Sequence, residues 1–297
     1  MAPTSFLKLI LKSKIAIIAS LYQSIMNAQL FTYNHFSLEY KLFGSGNEYM
    51  LAFHGMGREA DDFKIFENNL GKRYTIVAIN IFFHGNSTYP TERLFKNQIK
   101  KNEFVELIEQ LLLSLKINKF SLMGYSLGGR IALTLVQYLH SRIDRIILIA
   151  PDGLKRSVYN QFITKTTFGK KFVQWMIKNP DDFFGIIDTL NRYKIIPDKA
   201  KKVIGIHFET PERRLLMRNA ISSLKYINPN LKKVTNNINN KHIEVVMIFG
   251  KYDFIIPAKL GEHFLKNITS KKKLYLIKAS HNILTENASK ALSELIQ

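Results

Sequence analysis

The 297-residue sequence contains no cysteine, and this absence removes several classes of protein at once. Disulfide-stapled scaffolds, thiolate nucleophiles and cysteine-ligated zinc sites are all excluded. Glycine and proline are modest in number, 15 and 8, which excludes collagen-like and low-complexity chains. The hydrophobic fraction of 46% is ordinary, and a chain of this length buries a large core without metal or disulfide. We therefore expect one large domain with room for an inserted subdomain.

Acidic residues are scarce relative to basic ones. The chain has 43 Lys and Arg against 23 Asp and Glu, which gives a formal net charge of +20. Such a field attracts nucleic acid, anionic membranes or acidic substrates, although basic residues can also simply cover a solvated surface. No arginine-rich arm, zinc finger or aromatic RNA-binding signature accompanies the charge, so we expect no nucleic-acid partner.

The apolar run near the start of the sequence is too short to span a membrane. Within residues 1–30, Lys8, Lys12 and Lys14 precede a short apolar stretch at residues 15–19. A spanning helix needs about 18 or more apolar residues, and no clean signal-peptide cleavage site follows. We interpret residues 1–30 as a peripheral segment that could form a basic amphipathic helix. The expected location is the cytoplasm, with peripheral membrane contact through this segment or the basic insertion left open.

From residue 36 onward, apolar strand-like runs alternate with helical patterns. Several of these runs are almost continuously apolar, which is typical of a parallel sheet buried on both faces. The helical patterns between them indicate crossover connections, and crossovers join parallel strands. The predicted fold class is α/β, with a mostly parallel central sheet flanked by helices. The strand candidates are residues 48–53, 74–81, 119–123, 145–150, 242–249 and 273–277.

The alternation stops between residues 154 and 241. This segment carries 18 Lys and Arg against 6 Asp and Glu, and its apolar residues recur at helical spacing. Prolines divide it into several short helices, so we predict a helical cap inserted into a core of residues 31–153 and 242–297. The segment also holds the single tryptophan, Trp175, which we predict to bind substrate beneath the cap.

The strongest local signal is Gly-Tyr-Ser-Leu-Gly at residues 124–128, between a strand and an apolar helix. A sharp strand-to-helix turn exposes the central hydroxyl, and the flanking glycines leave room for the neighbouring backbone. The helix that follows directs its N-terminal amides at the site and favours an anionic intermediate. We predict Ser126 as a nucleophile, although an ordinary glycine-containing turn is the plain alternative.

A serine nucleophile needs a base and a carboxylate that orients the base. His281 follows the strand at residues 273–277 and is the candidate base. Asp253 follows the strand at residues 242–249 and is the favoured carboxylate. Asp152 also follows a strand and remains a rival, although its Asp-Gly sequence is also typical of a simple turn.

The developing negative charge requires two amide donors. The Leu127 N–H, directly after the nucleophile, is one candidate. The second is the Met56 N–H, because the sequence His-Gly-Met-Gly at residues 54–57 follows a strand and its glycines permit a tight bend. The plain alternative is a glycine-rich turn without a catalytic role.

These motifs together resemble the α/β-hydrolase superfamily across residues 36–297. The resemblance implies a serine-nucleophile enzyme that has a cap after the sixth strand and uses no cofactor; the sequence suggests no metal either. The Phe82-Phe83 pair departs from the small residues that relatives carry there, and we expect this to alter only the rim of the site. The matching elements, in family order, are His54-Gly55, the turn at residues 83–87, the segment 124–128, Asp253 and His281.

One subgroup of that superfamily gives an alternative. The stretch from Gly124 to Arg130 is similar to the menaquinone-pathway pyruvate-eliminating synthase, in which arginines hold an anionic substrate. That resemblance implies that Arg130 binds substrate, whereas a salt-bridging arginine is the plain alternative.

The sequence therefore predicts a serine hydrolase that cleaves a carboxylic ester or thioester of a small-molecule acyl substrate. Two other functions remain open. One is a lyase or C–C bond hydrolase that acts on an anionic substrate. The other is a non-catalytic protein that binds a ligand or a membrane on the same scaffold.

Overall fold

A computed structural model describes residues 28–155 and 166–296 of the chain. Within these ranges eight strands form one sheet in the order β1-β2-β4-β3-β5-β6-β7-β8. Strands β4, β3, β5, β6, β7 and β8 run parallel, while β1 and β2 add antiparallel pairs at one edge. The strands are β1 (Ala28–Tyr33), β2 (Phe36–Phe43), β3 (Glu48–Phe53), β4 (Tyr74–Ile79), β5 (Phe120–Tyr125), β6 (Ile143–Ile149), β7 (Glu244–Gly250) and β8 (Lys272–Ile277).

The central strands are apolar because they are buried within the layers of the molecule. Every residue of β5 and β7 is buried, as are the last four residues of β3. Met50, Ile76 and Phe249 have no exposed side-chain surface and belong to the main hydrophobic core. Strands buried in this way read as continuous apolar runs. The predicted α/β class with a mostly parallel sheet is confirmed.

Helices connect the parallel strands. Helix α3 lies against β3, β5 and β6, with α2 and α8 beside it. Helix α10 packs against α1 and β8. The helices are α1 (Glu67–Leu70), α2 (Lys101–Ser114), α3 (Leu127–Leu139), α4 (Thr167–Lys178), α5 (Pro180–Arg192), α6 (Asp198–Phe208), α7 (Pro211–Ser223), α8 (Leu231–Asn240), α9 (Ala258–Leu265) and α10 (Glu286–Leu295).

Helices α4 to α7 lie between β6 and β7 and have a small core of their own. Met176, Phe183 and Ile187 are its buried members. Helix α7 also contacts the main body, because the Arg218 guanidinium lies 5.3 Å above the Phe95 ring. Residues 166–241 are therefore largely helical, while the predicted boundaries of the segment 154–241 and its role as a cap over the site stay predictions.

The N-terminal segment lies almost wholly outside the described residues. Only the last three of the predicted peripheral residues 1–30 are described, and they begin strand β1. In the two described ranges, we find no helix with the length and apolar character needed to traverse a bilayer.

Candidate active site

Ser126 joins β5 to α3 in a sharp turn. Its backbone has φ 49° and ψ −115°, which is a strained conformation for a residue with a side chain. The Ser126 N–H donates to the Ile149 carbonyl oxygen at 3.0 Å. The Ser126 carbonyl oxygen accepts from the N–H groups of Gly129 and Asp152, at 2.9 and 2.8 Å. The surrounding backbone therefore fixes the turn from both sides.

Two glycines of the predicted motif allow this turn. A β-carbon at Gly128 would lie 1.8 Å from the Phe53 carbonyl oxygen. One at Gly124 would lie 2.5 Å from the Gly128 carbonyl oxygen. Both distances are far below van der Waals contact, so a side chain at either position would displace backbone. The glycine spacing read from the sequence thus has a steric cause.

The imidazole of His281 bridges a hydroxyl and a carboxylate. Its Nε2 lies 3.1 Å from Ser126 Oγ, and its Nδ1 lies 2.7 Å from Asp253 Oδ2. With Nδ1–H donating to the carboxylate, Nε2 is free to accept the serine proton. The structure brings together the three side chains that the sequence placed on three separate loops.

Asp253 is held in a buried position after β7. Its side chain has no exposed surface. Its Oδ1 accepts hydrogen bonds from the N–H groups of Ile255 and Ile256, at 2.9 and 3.0 Å, which leaves Oδ2 for His281. Backbone donors fix the carboxylate in one orientation, so it can in turn orient the imidazole.

Tyr125 supports His281 in a way that sequence reasoning missed. The Tyr125 hydroxyl donates to the His281 carbonyl oxygen at 2.9 Å, and the two rings stack with centroids 5.5 Å apart. Burial raises the pKa of Tyr125 to about 12, so the hydroxyl keeps the proton that it donates. The position of Tyr125 directly before Ser126 is the one sequence signal that could have indicated this contact.

The loop after β3 lies next to Ser126. A β-carbon at Gly55 would be 3.2 Å from Ser126 Cβ, which places this loop against the serine. Leu127 occupies the first turn of α3, where N–H groups lack intrahelical partners. The predicted amide donors, Met56 and Leu127, thus belong to two segments that meet at Ser126, and their roles as oxyanion donors stay predictions.

Two buried histidines hold this loop. His54 Nε2 accepts from the Ile81 N–H at 3.0 Å, so its Nδ1 carries the proton and donates to the Gly55 carbonyl oxygen at 2.7 Å. Burial lowers the pKa of His54 to about 3, and the nearby His84 ring acts in the same direction. His54 is therefore neutral in the folded protein at ordinary pH.

His84 fixes the far end of the same loop. Its Nε2 accepts from the Gly57 N–H at 3.0 Å, and its Nδ1 donates to the Phe82 carbonyl oxygen at 3.0 Å. Its pKa is lowered by burial. The sequence linked the turn around His84 only to the rim of the site, and no sequence pattern indicated the bond to Gly57.

Asp152, the rival carboxylate, faces Arg130 instead of His281. Its Oδ2 lies 3.6 Å from Arg130 Nε, and its Oδ1 accepts from the Gly153 N–H at 2.7 Å. Burial lowers the pKa of Arg130, while the Asp152 carboxylate acts in the opposite direction. The geometry favours the salt-bridging alternative for Arg130, and its predicted contact with substrate stays a prediction.

Trp175 lies in the helical insertion. Its ring stacks on Phe172 with centroids 5.9 Å apart, and it packs partly buried against the small core of the insertion. Its predicted role in substrate binding stays a prediction. In the described ranges, no group of three or more His, Asp or Glu side chains is arranged to hold a metal ion.

Comparison with protein-family models gives one match, described as the alpha/beta hydrolase fold, over residues 49–288. This range includes the strands β4 to β8, all of β3 except Glu48, and the residues Ser126, Asp253 and His281. The match therefore covers both the parallel part of the sheet and the whole candidate site.

Curated proteins similar to this chain include bacterial and human examples. A protein of Mycoplasma genitalium named as an esterase/lipase is 26% identical over 222 residues, which cover 74% of this chain and 77% of that protein. The human monoacylglycerol lipase ABHD6 is 22% identical over 259 residues, 81% of this chain and 74% of that protein.

Among solved structures, a thermophilic esterase from Thermogutta terrifontis is similar to this chain. The TM-score is 0.64 with 16% sequence identity, and the match covers 91% of this chain and 97% of the esterase. At this identity the likeness concerns the fold alone.

Proposed function

The chain belongs to the α/β-hydrolase-fold family, and on that premise we propose that it hydrolyses carboxylic esters through an acyl-enzyme on Ser126. The observation that carries the proposal is the pair of distances at His281, 3.1 Å to Ser126 Oγ and 2.7 Å to Asp253 Oδ2. A base within hydrogen-bond reach of a nucleophile, itself oriented by a carboxylate, is the arrangement that acyl transfer requires.

In the first half-reaction, Ser126 Oγ attacks the ester carbonyl carbon while His281 Nε2 takes its proton. The Asp253 carboxylate stabilises the imidazolium that forms and keeps Nδ1–H directed toward itself. The carbonyl oxygen becomes an oxyanion, for which the Met56 and Leu127 N–H groups are the proposed donors. Collapse of the tetrahedral intermediate expels the alcohol, which takes the proton from His281.

In the second half-reaction, water takes the place of Ser126 as the nucleophile and attacks the acyl-enzyme. His281 Nε2 removes a proton from water, the hydroxide attacks the acyl carbon, and Ser126 leaves with the proton returned by the imidazolium. The carboxylic acid is released and the free serine is restored. Each step uses groups of this chain alone.

Three features support an ester substrate. The relatives named as an esterase/lipase and as a monoacylglycerol lipase act on esters by name. The buried Arg130 faces Asp152, so its charge already has a partner, which weakens the case for a lyase that holds an anionic substrate there. The neutral buried His54 and His84 hold the proposed oxyanion loop without adding charge. Thioesters, which release a thiol in place of the alcohol, remain the alternative substrates.

A graded substrate panel tests the proposal. We expect p-nitrophenyl esters and the corresponding acyl thioesters to be hydrolysed, with Ser126→Ala reducing kcat/KM by about 10⁴-fold or more. Ser293→Ala, on α10, is the matched control and should retain wild-type rates. Turnover of the panel by Ser126→Ala at the wild-type rate would refute the acyl-enzyme, and no turnover of any ester by folded wild type would refute the substrate class.

A further inference from the structure

The turn between α5 and α6 exposes two large apolar side chains. Tyr193 is 72% exposed and Ile195 is 67% exposed, and Tyr193 has the most exposed large apolar side chain in residues 28–155 and 166–296. Ile186, seven residues before Tyr193 and on the same side of α5, is also half exposed. Isolated exposed apolar residues are common, but several on one tip indicate a surface that another molecule covers. We call residues 192–195 the anchor turn.

The backbone of the anchor turn is well defined by hydrogen bonds. The Ile195 N–H donates to the Leu190 carbonyl oxygen at 2.9 Å, and the Lys194 N–H donates to the Asn191 carbonyl oxygen at 2.9 Å. Lys194 has the left-handed φ of 56° that this type of helix end requires. The end of α5 thus projects Tyr193 and Ile195 from a fixed turn.

Side chains also join the two helices behind the anchor turn. Asn191 Nδ2 donates to the Ile196 carbonyl oxygen at 2.9 Å and to Asp198 Oδ1 at 2.8 Å. Lys201 Nζ lies 2.9 Å from Asp188 Oδ1, which connects α6 to α5. A preorganised tip loses little conformational entropy when it binds, so its apolar side chains are available to a partner at low cost.

Basic residues are frequent beside these apolar residues in the sequence. Residues 192–202 contain five basic residues and one acidic residue. The acidic side chains nearby are engaged, since Asp188 pairs with Lys201 and Asp198 accepts from Asn191. Four exposed basic side chains make no side-chain hydrogen bond or ion pair within the described ranges. They are Arg192, Lys194, Lys199 and Lys202.

The exposed apolar side chains and the basic residues near them favour one class of partner over the others. A second copy of the chain would bring another charge of +20 and be repelled. Nucleic acid would satisfy the basic side chains but would give Ile195 no apolar layer to enter. An anionic bilayer supplies both headgroup charge for the basic residues and an interfacial apolar region for tyrosine and isoleucine.

We propose that the anchor turn, with Lys199 and Lys202, docks the protein on anionic phospholipid bilayers. Tyr193 and Ile195 enter the interface between headgroups and acyl chains, and the four basic side chains lie against the headgroups. The docking does not depend on the proposed esterase activity.

Vesicle sedimentation with the full chain tests this docking. We expect wild type to bind phosphatidylcholine vesicles that contain phosphatidylglycerol, and to bind pure phosphatidylcholine at least ten-fold more weakly. The double variant Tyr193→Ser, Ile195→Ser should lose about ten-fold or more of its partition coefficient. Lys199→Glu with Lys202→Glu should lose at least as much, because each basic side chain contributes about five-fold at an anionic surface.

Matched variants elsewhere on the surface serve as controls. Leu30→Ser with Leu113→Ser removes two other exposed leucines, and Lys232→Glu with Lys233→Glu makes the same charge change on α8. Equal loss of binding in control and tip variants would overturn the proposal, as would no binding to anionic vesicles. Single-stranded DNA binding that Tyr193→Ser, Ile195→Ser leaves unchanged, with no vesicle binding, would also overturn it.

The absence of cysteine allows a second measurement that does not rely on loss of binding. Ile195→Cys creates a single attachment site for an environment-sensitive fluorophore, and Leu113→Cys is the control position. Addition of anionic vesicles should shift the emission of the label at residue 195 to shorter wavelength and leave the label at residue 113 unchanged. No shift at residue 195 would contradict insertion of the turn.

Discussion

In the parallel sheet, β5 and β7 are buried along their whole length, whereas α5 in the insertion buries only Phe183 and Ile187 of its 13 residues. The side chains of Ser126, Asp253 and His281 all follow strands of the sheet, where backbone hydrogen bonds fix Ser126 and Asp253. The insertion instead presents apolar and basic side chains to its surroundings. The proposed chemistry thus lies at the rigid sheet edge, and the proposed contact with a bilayer lies in the insertion.

The two regions also differ in how closely other atoms approach their glycines. A β-carbon at Gly128 would overlap the Phe53 carbonyl oxygen, whereas no atom lies within 4 Å of one at Gly185 or Gly205 in the insertion. Close backbone approach is thus required beside Ser126 and not at these two positions in the helices α5 and α6. Substitutions in the two regions should therefore have effects of different size. For glycines, the changes in the free energy of unfolding should also differ in sign.

The largest effect is expected at the sheet edge, from His281→Ala. Without the imidazole, no group accepts the Ser126 proton, so kcat for ester hydrolysis should fall by about 10⁴-fold or more while the fold is retained. The matched control His263→Ala, on α9, should retain wild-type kcat. Steady-state kinetics on one soluble ester measures both. A kcat for His281→Ala within ten-fold of wild type would show that His281 is not the base.

The two carboxylates that follow adjacent strands should differ sharply. Asp253→Asn should lower kcat by about 10³- to 10⁴-fold, because the imidazole loses its orienting acceptor. Asp152→Asn removes the partner of buried Arg130, so it should lower stability while leaving kcat within about ten-fold of wild type. Kinetics together with urea unfolding separates the two effects. The reverse order of kcat losses would make Asp152 the orienting acid.

Alanine substitutions at one glycine of the sheet edge and one of the insertion should change the free energy of unfolding in opposite directions. Gly128→Ala should lower the free energy of unfolding by about 4 kcal/mol or more, because its β-carbon meets backbone at 1.8 Å. Gly205→Ala should raise it by about 0.5 to 1 kcal/mol, because alanine favours the helix and has open space. Urea unfolding measures both changes. Effects of the same sign would show that the insertion is packed as tightly as the sheet edge.

The free energy of unfolding should depend on pH through His54, which lies at the sheet edge. The unfolded chain protonates this side chain below about pH 6.5, whereas the folded protein holds its pKa at about 3. The unfolded state therefore binds more protons between these values, and stability falls as pH falls through this window. His54 alone contributes a loss of about 2 kcal/mol between pH 6.5 and pH 5.

Urea unfolding at several pH values checks this dependence. His54→Gln should flatten the slope of unfolding free energy against pH, although its absolute stability at pH 7 should be lower, because the bond from Ile81 N–H is disturbed. His263→Ala, which removes an exposed histidine from α9, is measured beside it as the control. An unchanged slope in His54→Gln would mean that other groups carry the pH dependence.

Hydrophobic pattern predicted most of the fold and failed at the edge of the sheet. Buried parallel strands give continuous apolar runs, so β3 to β8 were recognisable from sequence alone. Strand β1 is not among the predicted strands, and its first three residues fall in the predicted peripheral segment, because the strand is partly exposed and alternates only weakly. Its existence depends on antiparallel pairing with β2, and such tertiary pairing leaves no mark in a short stretch.

Local motifs indicated the site residues, but strand order separates Asp253 from Asp152. Both follow strands, and the sequence could only favour one of them. Asp253 follows β7, which is the neighbour of β8, the strand before His281. Asp152 follows β6, which lies between β5 and β7 and is therefore not adjacent to β8. The supporting bonds of Tyr125 and His84 were unpredictable, because they join loops that meet only when the sheet has formed.

The most direct test of the account is active-site labelling with a fluorophosphonate, followed by mass spectrometry of the digested protein. We expect one adduct, on Ser126, in the wild type and none in Ser126→Ala. Labelling should be reduced about 10³-fold or more in rate in His281→Ala, because the serine is then not activated. An adduct on another serine, or no adduct on folded wild-type protein, would contradict Ser126 as the nucleophile.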